Sequence, residues 1–256
     1  MFKVIPTLLL GVSLFTQVTH AQTKKGQNME KRALIVVSSH GQLGNTGKPT
    51  GWYLSEVTHV YYPLVNAGYT VDFASPKGGA APMDPGSKDT KDEENEKFLA
   101  DASVMNQMQN TLPLAKVDTK KYRVIHFAGG HGAMFDFPGN KDLSRVAAGI
   151  YENNGVVSAV CHGPAALVDI KLSNGEYLIK GKKVNGFTNA EEAEVGLTKV
   201  VPFLLASKLQ ERGANYEGGK NWEDKVVVDG RLVTGQNPQS AHSVGRELVK
   251  ILEANK

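Results

Sequence analysis

The chain has 256 residues, of which 41% are hydrophobic, 21% charged and 7% aromatic, with 27 Gly, 11 Pro and one Cys. That mixture belongs to a globular protein and excludes disorder, collagen and a disulfide-stapled miniprotein. Twenty-nine Lys and Arg against 26 Asp and Glu leave a formal charge of +3, too small and too dispersed for a nucleic-acid footprint.

Residues 1–21 combine Lys3, an apolar run from Val4 to Phe15, and a small residue at Ala21 with Thr19 two positions before it, the layout of a secretory signal peptide. The run is too short for a spanning helix, and no later stretch approaches about 20 uninterrupted apolar residues. The expectation is therefore an exported protein, periplasmic or secreted, free of the membrane once the leader is cleaved. Residues 22–32 are polar and basic and read as a flexible tether; residues 33–256 read as a single α/β domain. A lone Cys in an exported chain has no internal disulfide partner, so Cys161 is a buried filler, an intermolecular link or a reactive thiol.

Continuous apolar runs predict strands at Ala33–Ser38, Thr70–Ala74, Tyr122–Ala128 and Gly155–Val160, as in a sheet covered on both faces. Helices are predicted over Tyr53–Ala67, Glu93–Asn110 and Lys141–Asn153, the first and last followed by Gly68 and Gly155 as stop signals. The stretch Ser75–Asp92 is too long for a routine connection and reads as a mobile loop or part of a lid. The acidic run Asp92–Glu96 reads as a solvated helix start rather than a metal site. Lys225–Gly235 reads as a hairpin around Asp229-Gly230, and Ser240–Ala254 as a closing amphipathic helix. Strand and helix alternate, which implies right-handed crossovers and a parallel sheet.

The segment Gly155-Val-Val-Ser-Ala-Val-Cys-His-Gly-Pro164 places Cys161 at the apex of a strand, turn and helix, with Gly163 two residues on and Pro164 at a first helical position. A thiol at a helix N-terminus is expected to have a lowered pKa, and backbone N–H groups there can hold an oxyanion. By itself Cys161 also reads as a buried small hydrophobe; the elbow spacing and the adjacent His162 favour the reactive thiol. Ala128-Gly-Gly-His-Gly132 follows another strand at its carboxyl end, where open α/β sheets place ligands. Gly129, Gly130, His131 and Gly163 are accordingly the candidate substrate and oxyanion positions.

The Ala159–Ala165 segment, the Ala128–Gly132 loop followed by Phe135-Asp-Phe-Pro138, Gly186-Phe-Thr-Asn-Ala-Glu-Glu192 and Gly230–Pro238 with Ser240 and His242 together resemble the ThiJ/PfpI superfamily, and within it the glyoxalase III and heat-shock chaperone branch. The resemblance runs from Ala33 to the C-terminus. It implies a flavodoxin-like three-layer α/β/α sandwich with a mostly parallel central sheet, of the class I glutamine amidotransferase-like type. Carried over by motif, Cys161 matches the nucleophile, His162 its neighbouring histidine, Glu192 the third, acidic position and Glu56 the glutamate that bonds the cysteine. Glu191 stands beside Glu192 and competes for the acidic role. Taken alone, His162 also admits the lesser reading of a turn cap and Glu56 that of a surface helix residue; His131, His126 and His242 read as hydrogen-bonded packing residues.

The resemblance implies a glutathione-independent glyoxalase III of D-lactate dehydratase type, acting on a small aldehyde such as methylglyoxal, and a homodimer. A holding chaperone or protein deglycase, or a cysteine peptidase or amidase, are the competing readings. The leader departs from the branch, whose members are chiefly intracellular. No phosphate-binding loop, zinc-type Cys/His cluster or flavin motif stands out, so no cofactor and no metal are expected.

Overall fold

The computed structural model describes residues 1–3 and 30–254; most of the leader read at residues 1–21 and of the tether read at 22–32 lies outside the described residues. In chain order, β1 (Arg32–Val36) leads through α1 (Leu54–Asn66) to β2 (Thr70–Ser75), α2 (Glu93–Ala100), α3 (Ala102–Gln109) and a short β3 (Leu112–Pro113). Next come β4 (Val124–Phe127), α4 (Ala133–Asp136), α5 (Lys141–Glu152), β5 (Val156–Val160) and a 3-10 helix over Gly163–Asp169. The chain ends with β6 (Lys183–Val184), α6 (Asn189–Glu194), α7 (Leu205–Glu211), β7 (Asn215–Tyr216), the hairpin β8 (Val226–Asp229) and β9 (Leu232–Gly235), and α8 (Ala241–Ala254).

Among the described residues, seven strands form one sheet in the order β3-β2-β1-β4-β5-β9-β8. Neighbours run parallel except in the β8–β9 hairpin. This is the flavodoxin-like order, with its switch point between β1 and β4. Right-handed crossovers to opposite sides of that pair put α1 and α5 on opposite faces. The strands read as unbroken apolar runs because both faces are covered: Leu34, Ile35, Val124, Ile125, Val157 and Leu232 are all fully buried. Each such side chain contributes roughly 1.5–3 kcal/mol on leaving water.

The helices follow their apolar spacing. On α5, Leu143, Val146, Ala147 and Ile150 are buried, and Asn140 Oδ1 caps the helix by accepting from the Leu143 N–H at 3.0 Å. On α8, Val244, Leu248 and Leu252 are buried, and Gly245 lets the helix close on α1, since a Cβ there would come within 2.5 Å of the His59 carbonyl oxygen.

Two expectations change and the reading of a third segment narrows. β1 starts at Arg32, inside the segment read as tether. The helix expected over 93–110 is two, because Asp101 is extended (φ −79, ψ 101) and its Oδ1 accepts from Ser103 and Val104 N–H, starting α3 afresh. The 75–92 stretch is pinned against the body of the protein: Trp52 N–H donates to the Pro82 carbonyl, Thr50 Oγ1 donates to Asp84 Oδ2 at 2.8 Å and Leu54 N–H to Ser87 Oγ at 3.0 Å.

Candidate active site

β5 delivers its last residue into a turn whose geometry is fixed on both sides. Cys161 has φ +59, a left-handed conformation rarely adopted by a residue with a side chain. Its N–H donates to the Gly235 carbonyl on β9 at 3.0 Å, and its carbonyl accepts from Phe187 N–H at 2.8 Å. The chain can double back because position 163 carries no Cβ, which would otherwise collide with the Phe127 carbonyl oxygen on β4. The thiol is left 3% exposed, with Sγ 3.3 Å from His162 Nδ1.

The acid arrives from a separate element. Thr188 Oγ1 accepts from the Glu191 N–H and the Glu191 carboxylate accepts from the Thr188 N–H, a capping box that starts α6. The Phe187 bond to Cys161 anchors that start beside the elbow, so the next residue, Glu192, meets the imidazole. Its Oε2 lies 2.8 Å from His162 Nε2 and its Oε1 3.0 Å from His131 Nε2. Glu191 is otherwise committed: Oε1 accepts from Trp222 N–H, Gln236 Nε2 and Asn237 Nδ2. Of the two adjacent glutamates, Glu192 therefore faces the histidine and Glu191 ties loops together.

Burial raises the Glu192 carboxyl, but hydrogen bonds from His131 and His162 outweigh it and hold the group down at about 2. Burial, together with the neighbouring His131, lowers His162 to about 4 against the pull of Glu192. At neutral pH an ionised Glu192 thus accepts from Nε2–H of a neutral His162. Nδ1 then carries the lone pair, and it is the atom that faces sulfur.

Glu56, in the first turn of α1, is fully buried. Its Oε2 accepts from Gly129 N–H at 2.7 Å, while Oε1 is shut off from water without a nitrogen or oxygen partner. Burial first, and the Asp84 charge in addition, push this carboxyl up to about 8 against bonds to Cys161 and Gly129. It is a neutral acid at pH 7, and a proton on Oε1 gives that orphaned atom a bond to make toward the thiol.

The lowered thiol pKa expected from the sequence is overturned. Burial pushes Cys161 well above its ordinary value, the Glu56 carboxylate adds to the rise, and the Gly130 and His162 N–H groups only partly oppose it. The segment after the turn is a seven-residue 3-10 helix, too short to supply the α-helix dipole that the expectation relied on. The Glu56 contribution reverses when that carboxyl holds its proton and donates.

These groups open onto a cavity of about 260 Å³ lined by Tyr53, Asp84, Gly130, His131, Phe187 and Trp222 as well as Cys161 and His162. The sequence model of the DJ-1/PfpI family matches residues 50–251. The chain belongs to that family. Glyoxalase 3 of Candida albicans is 32% identical over 242 residues, covering 89% of this chain and 100% of that protein. A glutathione-independent glyoxalase of Saccharomyces cerevisiae is 34% identical over 239 residues, covering 87% and 98%. Among solved structures, Rapid Encystment Protein 24 KDa of Francisella tularensis superposes with a TM-score of 0.84 at 44% identity, covering 87% of this chain and 99% of that one. Glyoxalase III of Candida albicans gives 0.80 at 31% identity, covering 86% and 96%.

Within this DJ-1/PfpI scaffold the candidate glycines divide. Gly130, at φ +87, lines the cavity and turns its N–H toward the sulfur. Gly129 and Gly163 do not line it: a Cβ at 129 would sit 2.6 Å from His162 N and 2.7 Å from Glu56 Oε2, so these two glycines permit close packing rather than contact a ligand. His131 is on the cavity wall. His126 is behind it, fully buried, with Nδ1 3.0 Å from Ser158 Oγ and Nε2 3.2 Å from the Glu56 carbonyl, which holds α1 against the sheet. His242 lies against His59 instead. Tyr53, Asp84 and Trp222 had no motif to mark them; the only sequence signal was the excessive length of the 75–92 connection that carries Asp84.

Proposed function

We propose that this chain is a glutathione-independent glyoxalase converting a 2-oxoaldehyde such as methylglyoxal to the 2-hydroxy acid through a hemithioacetal on Cys161. The observation that carries the reading is the convergence of Cys161, His162, Glu192 and Glu56 on one cavity of about 260 Å³. A cavity of that size accommodates a small aldehyde beside the thiol. The names of the Candida and Saccharomyces relatives support the same chemistry.

Sulfur adds to the aldehyde carbon as the thiol proton passes to the lone pair of His162 Nδ1, 3.3 Å away, and the aldehyde oxygen becomes the hemithioacetal hydroxyl. Glu192 stabilises the imidazolium that forms. The same imidazole, having released that proton to the oxygen, takes the hydrogen from the former aldehyde carbon. The resulting enediol is reprotonated at the neighbouring carbon, giving a 2-hydroxy thioester. One carbon is oxidised and its neighbour reduced, so no external oxidant is consumed. Water then cleaves the thioester, restoring the thiol and releasing the acid. The Gly130 and His162 N–H groups are placed for the oxyanion, and neutral Glu56 steadies the sulfur whenever it bears charge. The leader supports the further reading that this chemistry takes place outside the cytoplasm.

The test is incubation of the purified protein with methylglyoxal in the absence of glutathione, beside Cys161→Ala. Lactate formation that disappears in the variant is expected. A wild-type protein that forms no lactate while its thiol still reacts with an alkylating agent overturns the glyoxalase reading.

A further inference from the structure

We propose that His59, Glu94 and His242 form a binding site for one divalent transition metal of the zinc class, separate from the cavity that holds Cys161. Three helices bring them together: His59 from α1, one turn after Glu56; Glu94 from the first turn of α2; and His242 from the first turn of α8. One ligating atom from each lies within 4.8 Å of the other two. Tetrahedral zinc, with bonds of about 2.0–2.2 Å, holds its donors roughly 3.3 Å apart, so the cluster needs a contraction on the scale of side-chain rotation.

Besides the clustering, one unpartnered atom points to a ligand, and a neighbouring carboxylate is placed to orient one of the imidazoles. Glu94 Oε2 is shut off from water with no hydrogen-bond partner, and His242 Nε2, its nearest cationic candidate, stays 3.9 Å away. His59 Nε2 lies 2.8 Å from Asp92 Oδ2. If the metal is taken by Nδ1, that bond to Asp92 supplies the carboxylate–histidine pairing that orients metal-bound imidazoles. Asp92 is itself fixed, since its Oδ1 caps α2 by accepting from Asn95 N–H at 2.9 Å.

The His59 and His242 rings stack at 3.7 Å with 17° between their planes, and stacked rings cannot aim in-plane lone pairs at one ion. Binding therefore turns the His242 ring, whose side chain is 45% exposed, while His59 stays held by Asp92. The Gly245 contact fixes the α8 backbone on α1 during that turn. Two histidines and one carboxylate leave an open coordination position for water. Bound there, the metal braces α2 against the helix that carries Glu56 and against α8, which follows the Pro238 rim of the reaction cavity. The positions 59, 94 and 242 share no local spacing, and the acidic run around Glu94 reads from sequence as solvated.

Chelator-treated full-length protein is titrated with Zn²⁺ by calorimetry, with thermal unfolding in parallel. One equivalent is expected to bind and to raise the melting temperature. Glu94→Gln and His242→Gln should each abolish both effects, and Asp92→Asn should weaken binding by about 10- to 100-fold, with metal-free melting reporting that each variant is folded. Folded wild type that takes up no zinc at millimolar concentration overturns the proposal. So does uptake that survives Glu94→Gln and His242→Gln but is lost in His131→Asn, which would move the metal to the Glu192 pair.

Discussion

Replacing Glu56 by Gln should stabilise the protein at neutral pH, by an amount that follows from the burial of this carboxyl. Its pKa stands at about 8 in the folded protein against an ordinary 4.5. Between pH 4.5 and pH 7 the native state retains a proton that the unfolded chain releases. A folded pKa above the unfolded one contributes stability fully present below 4.5 and lost as pH rises toward 8. At about 1.4 kcal/mol per pH unit, the wild type forfeits about 3 kcal/mol at pH 7 relative to its value at pH 4. Gln has the same shape, can accept from Gly129 N–H and can donate toward Cys161, but has no proton to lose. Urea unfolding of both proteins at pH 5 and pH 7 isolates the effect, because every other titrating group is common to the pair. Gln should gain under 1 kcal/mol at pH 5 and about 3 kcal/mol at pH 7. Equal gaps at the two pH values, or none at pH 7, would refute a neutral buried Glu56.

The two adjacent glutamates should separate by readout. Glu192→Gln leaves His131 or His162 facing an amide donor and should lower kcat on the order of 10²- to 10⁴-fold; because the folded carboxyl sits at about 2 against an ordinary 4.5, it should also cost up to about 3 kcal/mol at pH 7, a loss that shrinks as pH falls below 4.5. Glu191→Gln sets an amide among four donors from Thr188, Trp222, Gln236 and Asn237, and should destabilise the fold by about 3 kcal/mol. A Glu191 variant that melts like wild type while activity falls would reverse these roles. For the leader, N-terminal sequencing of the protein from an extracytoplasmic fraction should begin at Gln22; full-length protein found only in the cytosol would exclude export.

How far the site could be read from residues depended on whether a position follows from local geometry. The continuous runs at Ala33, Tyr122 and Gly155 announce strands buried on both faces, and the Cys161 elbow is legible because its glycine spacing is a steric requirement. Glu56 and Glu192 lie 105 and 31 positions from Cys161 and came only from motif resemblance; no periodicity links a first-turn residue of α1 to a capping box before α6. Tyr53 reads from the sequence only as the start of a helix, Asp84 and Trp222 come from segments without period, and Trp222 depends on a positive φ (+61) that a bulky residue seldom adopts. The break at Asp101 was missed because its side chain competes locally with the helix, a capping effect hidden inside an otherwise helical window.

The raised thiol pKa bears most directly on mechanism. A standing thiolate would need compensation that this turn lacks: the following helix is a short 3-10 segment, and the nearest carboxyl is itself buried. Instead Cys161, His162 and Glu56 are all neutral at pH 7, and Glu192 carries the charge of the group. On the proposed reaction, proton removal therefore accompanies sulfur addition, so charge develops only when substrate is present to receive the bond. A buried site that held thiolate and carboxylate together would suffer like-charge repulsion in a low-dielectric interior. Glu56 avoids this by keeping its proton, and the stability it forfeits toward pH 8 is the thermodynamic trace of that arrangement.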